Sequence, residues 1–501
     1  MKYSVALSSQ LHSELVNHLL RDDGQEDLCF AVWYPSRGRD RTTALLHQLI
    51  LPLNGERRVH GNASFLPAYF ERALGIAIAA GGGLAFMHSH YSPGWQGMSR
   101  DDIVAEEGHA AATNGATGLP LVGLTLGTDG AWSARFWDKV RPRQYERQWC
   151  ETVRVVGDRL SLTYYDQLIP KPAFRAELTR TVSAWGQDAQ SHLARLRIGI
   201  IGTGSVGNLV AESLARMGIT NVRLFDFDAV ELVNLDRLLH ATRRDALLQR
   251  PKVEVLARAL KRSATASPFT VDALEWSINE EEGFRAALDC DVLFSCVDRP
   301  WPRFALNVIA FAHLIPVVDG GIYINAKPEG RGMRHADWQA HVVSPGRRCL
   351  ECLKQYDPSD VGTERDGRLD DPVYIAGLPT DHRLRRNENV FGFSMSVASL
   401  EILQFLSMVI APSGMANHGA QRYRFVTGTL EHDFRACEDT CLFPGITARG
   451  DTAGIVVTGR HFAAEEARKT RQKLHRSWRY RLLKLRTIIS QYLEVHRQVQ
   501  V

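Results

Sequence analysis

The first twenty residues, MKYSVALSSQLHSELVNHLL, hold neither an uninterrupted apolar run nor a small-residue cleavage site, so no secretory leader is read there. No run is read as approaching the ~20 apolar residues of a membrane span. A cytoplasmic protein is the expectation. Internal repeats and low-complexity tracts are lacking, which argues against solenoids and arrays. Charge of one sign is barely in excess, 60 Lys+Arg against 56 Asp+Glu. That excess is uneven, because Arg460 to Val501 carries eleven Lys/Arg and three Asp/Glu. The basic character belongs to the tail, and little else supports a nucleic-acid partner. Cysteine is scarce at eight residues. Four of these form two close pairs, Cys349/Cys352 and Cys437/Cys441, which suits a metal in a reducing compartment better than disulfides. Between Cys352 and Cys437 there is no cysteine at all.

What is present divides the 501 residues into three regions. Residues 1–165 mix helical and strand patterns. Residues 170–445 alternate short apolar runs (RIGIIG, NVRLFDFD, CDVLFSCVD, IPVVDGG) with helical patterns, as parallel βαβ units of a doubly wound sheet do. The polar stretch QYDPSDVGTERDGRLDDP, 355–372, reads as a long mobile loop. Residues 460–501 read as a basic helix. Its apolar stripe is Leu474, Trp478, Leu482, Leu485, Ile489 and Tyr492. Packing on the body or on a dimer mate is the plain reading of that stripe; docking a partner or an acidic membrane surface is the other.

Within the first region, GGLAFMHSH reads as a strand, on which alternation turns His88 and His90 to one face. Two imidazoles on a rigid strand make a pair of zinc ligands. SRDDIVAEEGHAAA reads as a helix capped by Ser99, with Asp102 on its first turn as a third ligand that leaves room for water. Ser99 and Asp102 read equally well as a pair closing the helix end. H-x-H followed by S-x-x-D resembles the JAB/JAMM metallopeptidases. The resemblance implies a catalytic zinc held by His88, His90 and Asp102, Glu26 as the base taking a proton from water, and Ser99 donating to an oxyanion. The chain departs from the family in an eight-residue spacer between His90 and Ser99, where seven is usual, and in Tyr91 where Pro is usual.

Within the second region, Gly202, Gly204 and Gly207 follow RIGII and open the helix NLVAESLARMGI, a strand–turn–helix suited to phosphates. Asp226, nineteen residues beyond Gly207, stands where a ribose hydroxyl is met. So far an NAD enzyme fits as well. DFDAVELVNLDRLL, RPKVEVLARAL and SCVDRPWPRFALN, however, closely resemble the ThiF/MoeB and ubiquitin-activating enzyme family. The resemblance implies a Rossmann-like adenylation domain using ATP and Mg. Asp226 would hold the ribose, Asn234, Arg237 and Lys252 the phosphates, and Asp298 the magnesium. LTRTVSAWGQDAQSHL resembles the segment that lends an arginine to a partner's active site, which makes Arg180 that residue and the protein a homodimer. Cys349, Cys352, Cys437 and Cys441 fit a structural zinc.

Together the two resemblances imply a bifunctional enzyme, as in fusions of prokaryotic (bacterial) ubiquitin-like operons. One unit adenylates the C-terminus of a ubiquitin-like modifier; the other trims the precursor or cuts the conjugate. Cys290 and Cys296 flank the apolar strand DVLFS and read as core residues. A conjugating-enzyme-like protein is therefore the expected acceptor of the acyl group. The alternatives are a sulfur-carrier adenylyltransferase for thiocofactor synthesis, an NAD-binding Rossmann protein, and a scaffold whose peptidase is inactive.

Overall fold

The apolar runs assemble into two large sheets. The computed structural model describes residues 1–482 apart from 61, 174, 328–331, 379–387, 479 and 481. Leu485, Ile489 and Tyr492 of the tail stripe lie outside the described residues.

The first sheet has nine strands, in the order Leu160–Tyr164, Thr152–Val156, Lys2–Ser8, Arg41–Ile50, Leu28–Arg37, Gly83–Ser89, Leu121–Leu126, Trp132–Arg141 and Gln144–Trp149. Gly83–Ser89 is a central strand, buried along its whole length, antiparallel to one neighbour and parallel to the other. Apolar residues on alternate positions supply two cores, one on each face. Leu11, Leu15 and Leu19 of helix Ser9–Leu19 pack with Val5, Trp33 and Trp132. Tyr69, Phe70 and Ala73 of helix Pro67–Ala80 pack with Leu28, Phe30 and Phe86. Helix Arg100–Thr117 adds Ala110 to that second core.

The second sheet has eight strands: Thr270–Leu274, Asn221–Phe225, Arg197–Ile201, Val292–Ser295, Val317–Ala326, Met333–Val343, Ala420–Arg424 and Thr429–Asp433. The first five are parallel and the last three antiparallel. The parallel part has the 3-2-1-4-5 order of a doubly wound fold. Its topological switch point lies between Arg197–Ile201 and Val292–Ser295. Gly202 and Asp298 follow those two strands at the same sheet edge.

Two expectations are corrected. The loop read over 355–372 is largely helical, with helix Pro358–Arg365, a 3-10 turn Arg368–Asp370 and the start of helix Pro372–Gly377. Its proline and aspartate residues are start signals rather than breakers: Pro358 and Pro372 open the helices, and Asp357 and Asp371 accept from the second backbone N–H beyond them. An apolar run of span length also exists, helix Phe391–Ile410, of mean hydropathy 1.7. It packs across the second sheet through Val397, Phe405 and Met408 and carries the fully buried Glu401 and Gln404.

Candidate functional site

His88 is the next-to-last residue of the central strand of the first sheet and His90 follows the strand, held by a hydrogen bond from its N–H to the Leu126 carbonyl at 2.9 Å. Ser99 caps helix Arg100–Thr117, its hydroxyl accepting from Asp102 N–H at 3.1 Å while the Asp102 carboxylate accepts from Ser99 N–H at 2.7 Å. The capping box and the ligand cluster are therefore one structure. The box fixes Asp102 so that its two oxygens lie 3.3 Å from His88 Nε2 and 3.3 Å from His90 Nε2. The two Nε2 atoms are 3.1 Å apart. Zinc bonds of about 2.0–2.1 Å set tetrahedral ligand atoms about 3.3 Å from one another, so the three donors fit that ion.

Glu26 lies half-buried two residues before strand Leu28–Arg37, and the Tyr91 hydroxyl accepts from its N–H at 3.3 Å. Burial, with Asp102 nearby, lifts its carboxyl above the usual range, although His90 opposes this. Burial lowers the His88 imidazole, which favours the neutral, ligating form. The Ser99 hydroxyl, used as an acceptor by the helix, keeps its proton free to donate.

In the second sheet, the glycine turn needs its glycines for two separate reasons. Gly202 has φ +89°, and a Cβ there would meet the Cys296 carbonyl at 2.6 Å. A Cβ at Gly207 would collide with the Gly202 carbonyl, so the helix could not sit this close to the strand. Gly204 caps helix Ser205–Arg216 and faces open space. The Ser205 hydroxyl on its first turn is buried with no partner among the described residues. An open helix N-terminus with an orphaned donor fits a phosphate.

Asp226 follows strand Asn221–Phe225. Its carboxylate accepts from Thr203 N–H at 2.8 Å and Thr203 Oγ1 at 3.0 Å, and from Asp228 N–H at 2.9 Å. Lys252 opens helix Lys252–Ser263 and places Nζ 2.8 Å from Asp228 Oδ2. Burial works against the ammonium, but Asp226 and Asp228 together hold it above the usual lysine range. Burial lifts Asp226 upward, with Lys252 opposing. Asn234 and Arg237 lie on the turn that follows: Asn234 Oδ1 accepts from Glu231 N–H at 3.1 Å, and Arg237 points to Asp236 and the Val233 carbonyl. Asp298 is exposed in the loop after Val292–Ser295, and Arg180 is exposed on helix Thr179–Trp185. The structure thus joins Lys252 to Asp228 and sets its charge near Asp226, aligns Asp298 with the glycine turn, and leaves Asn234 and Arg237 turned to local partners.

Cys349, Cys352, Cys437 and Cys441 gather with their sulfurs within 4.8 Å, the span a single metal ion would bridge. Cys349 and Cys441 sulfurs are 3.6 Å apart, near the about 3.8 Å spacing set by zinc–sulfur bonds of about 2.3 Å. Backbone N–H groups of Cys349 and Cys352 point at sulfurs of Cys437 and Cys349, 3.2 and 3.3 Å away.

Sequence reasoning missed three contributors. Asp228 was visible in D-F-D, but its hold on Lys252 needs the fold. Glu106 stands four residues after Asp102 on one helix face, a signal present in the sequence. The C-terminal helix Phe462–Arg476 was read from the sequence, but nothing local announced where it docks. Its arginines reach the D-F-D turn: Arg471 donates to the Phe227 carbonyl at 3.1 Å and pairs with Glu275, and Arg468 pairs with Glu280. The His461 ring stacks on Trp301 at 5.5 Å and meets Phe227 at 4.9 Å. The tail helix therefore docks through these arginines, while Trp478 and Leu482 of the stripe are 66% and 51% exposed.

The ThiF family profile matches residues 177–438. Ubiquitin-like modifier-activating enzyme 5 of Bombyx mori is 29% identical over 197 residues, 36% of this chain and 46% of that relative. Molybdopterin-synthase adenylyltransferase of Escherichia coli (strain K12) is 36% identical over 170 residues, 34% of this chain and 62% of the relative. The chain thus spans less than two thirds of the length of either. A crystal structure of E. coli MccB with ATP aligns over 55% of this chain and 76% of its own at 18% identity and a TM-score of 0.41, too distant to place any residue. By the extent of the profile match, the chain belongs to the ThiF family.

Proposed function

We propose that the protein activates a ubiquitin-like modifier with ATP and carries a zinc peptidase site in the same chain. The observation that carries the reading is the part-buried contact of Lys252 with the D-x-D turn beside an open, glycine-lined helix N-terminus. In this reading a C-terminal carboxylate oxygen of the modifier attacks the α-phosphorus of ATP. The bond from that phosphorus to the bridging oxygen breaks, pyrophosphate leaves, and the acyl-adenylate remains. Asp226 accepts from a ribose hydroxyl, the Gly202–Gly207 turn and Ser205 hold phosphate, and Asn234, Arg237 and Lys252 offset charge on the leaving group. Arg237 swings from Asp236 to do so. Asp298 would hold magnesium, which supplies further neutralisation of the phosphates. Arg180 reaches the site of a second copy, which makes the working unit a homodimer.

His88, His90 and Asp102 would hold the zinc, which makes a water acidic enough to lose its proton near neutral pH. Glu26 takes that proton, and Ser99 donates to the oxygen that becomes negative at the cleaved carbonyl. The four cysteines hold a second, structural zinc. The units that act are 1–165, 170–445 and 460–501, the last bracing the ribose turn.

All eight cysteines are either buried or gathered in the four-cysteine cluster, except Cys296, whose thiol burial raises well above its usual range. Burial pushes Cys290 up to about 12. Transfer of the acyl group to a thiol of a separate conjugating-enzyme-like protein follows. The likeness to molybdopterin-synthase adenylyltransferase supports a second reading, in which the modifier is a sulfur carrier.

The test is exchange of labelled pyrophosphate into ATP in the presence of small proteins ending in Gly. Exchange that depends on the protein's terminal carboxylate supports the reading; its absence with every such protein defeats it. Transfer to a protein thiol rather than to sulfide separates the two readings.

A further inference from the structure

Behind the histidine pair lies a buried polar chain that no step above uses. Glu106 is on the same helix as Asp102, one turn further on, and is 1% exposed. Arg135 and Thr125, from the two neighbouring strands Trp132–Arg141 and Leu121–Leu126, are both 0% exposed. Arg135 Nε donates to Glu106 Oε2 at 2.9 Å, and Arg135 Nη2 pairs with Glu106 Oε1. Trp137 Nε1 donates to Glu106 Oε2 at 2.7 Å. Arg135 Nη1 donates to Thr125 Oγ1 at 2.7 Å, and that oxygen stands 3.4 Å from His88 Nε2, the nitrogen facing His90 and Asp102. Gly123 makes room for this arrangement: a Cβ there would collide with the Glu106 carboxylate.

A buried ion pair by itself adds little stability, because desolvation offsets attraction. This pair does more than neutralise itself. Three donors fix Glu106 against the sheet, and Glu106 fixes the rotation of the helix whose preceding turn presents Asp102. The remaining Arg135 donor is taken by Thr125 Oγ1, which ties this chain to the strand paired with that of His88. We infer that Glu106, Arg135 and Thr125 are positioning residues for a divalent metal at His88, His90 and Asp102. Glu106 and Arg135 set the reach of the carboxylate ligand, and Thr125 holds Arg135 at the sheet position paired with His88. The inference rests on the reading of that triad as a metal site.

The experiment titrates cobalt(II) alone into the full chain freed of metal, with the four-cysteine site identified by its thiolate absorption. Two ions per chain are expected, the second lost in a His88→Ala variant. Thr125→Val removes the acceptor of Arg135 Nη1 while Glu106 still neutralises the guanidinium. It is expected to weaken the second ion about tenfold or more and to shift its visible absorption while the thiolate site stays as it was; the thermal midpoint falls, because Arg135 loses a buried acceptor, but the protein remains folded. Arg135→Lys is expected to retain part of the affinity that Arg135→Met loses. A folded Thr125→Val protein with unchanged cobalt affinity and spectrum overturns the inference while leaving the metal site standing. A chain that takes up cobalt only at the cysteines overturns both.

Discussion

Lys252 illustrates how much one side chain depends on its neighbours. It is held charged by two carboxylates, so removing it costs the proposed phosphate contact and leaves Asp226 and Asp228 without their cation. Lys252→Ala is expected to slow pyrophosphate exchange by about 10²–10³-fold, the scale of removing one transition-state donor. Circular dichroism should show an intact fold. Cys349→Ser is expected to lower bound zinc by one ion per chain and to lower the thermal midpoint, since a structural site contributes its binding energy to folding. At this scale the sequence was a good guide. His88, His90 and Asp102, and the four cysteines, were legible because short spacings on one strand, one helix turn or two close pairs fix proximity locally. The Glu106–Arg135–Thr125 chain was not legible, because its members meet only through sheet pairing.

Elements that look peripheral brace the proposed nucleotide site. Trp301 Nε1 donates to the Val457 carbonyl at 3.0 Å, and Asn279 Nδ2 donates to the carbonyls of both Trp301 and Val457. The C-terminal segment thereby ties together the loops after strands Thr270–Leu274 and Val292–Ser295, and Arg471 adds the turn after Asn221–Phe225. Arg471→Ala is expected to raise the KM for ATP roughly tenfold, equivalent to about 1.4 kcal/mol, with a smaller change in kcat. Helix Pro358–Arg365 contributes Glu364, whose carboxylate accepts from Trp301 N–H at 2.8 Å at the start of helix Pro300–Ala312. Burial lifts its carboxyl to about 7. The folded state keeps a proton there that the unfolded chain releases near the ordinary carboxyl value. Its contribution is therefore full in acid and is lost as pH rises toward about 7. Glu364→Gln is expected to flatten the fall in stability between pH 5 and pH 7.5 seen by denaturant titration (pH values spanning about the shift described). The helical character of this stretch was hidden by its polarity, since its helices are short and depend on capping and docking rather than on an apolar face.

On the scale of the molecule, the two sheets share one core. Ala6, Leu45, Val156 and Leu160 of the first pack in the same cluster as Ile198, Ile200 and Val210 of the second. Asp291 binds them further, accepting from Arg41 at 2.7 Å and Arg154 at 2.8 Å, both fully buried, and from Arg197 N–H at 3.0 Å. Asp289 takes the backbone N–H groups of Asp40 and Arg41 in the same way. Asp291→Ala strands two buried guanidinium groups and is expected to cost about 3–5 kcal/mol, read as a lower midpoint of a single unfolding transition. The sequence pattern suggested separable units because composition changes near residue 165; the joint itself is made by residues far apart in the chain. The central claim is that the glycine turn, the D-x-D turn and Lys252 are built for ATP. Calorimetric titration of the full chain with magnesium-ATP and with NAD tests it most directly. The account predicts saturable binding of ATP that Lys252→Ala abolishes, and no competition by NAD. Tight NAD binding that survives Lys252→Ala, with no uptake of ATP, would contradict it.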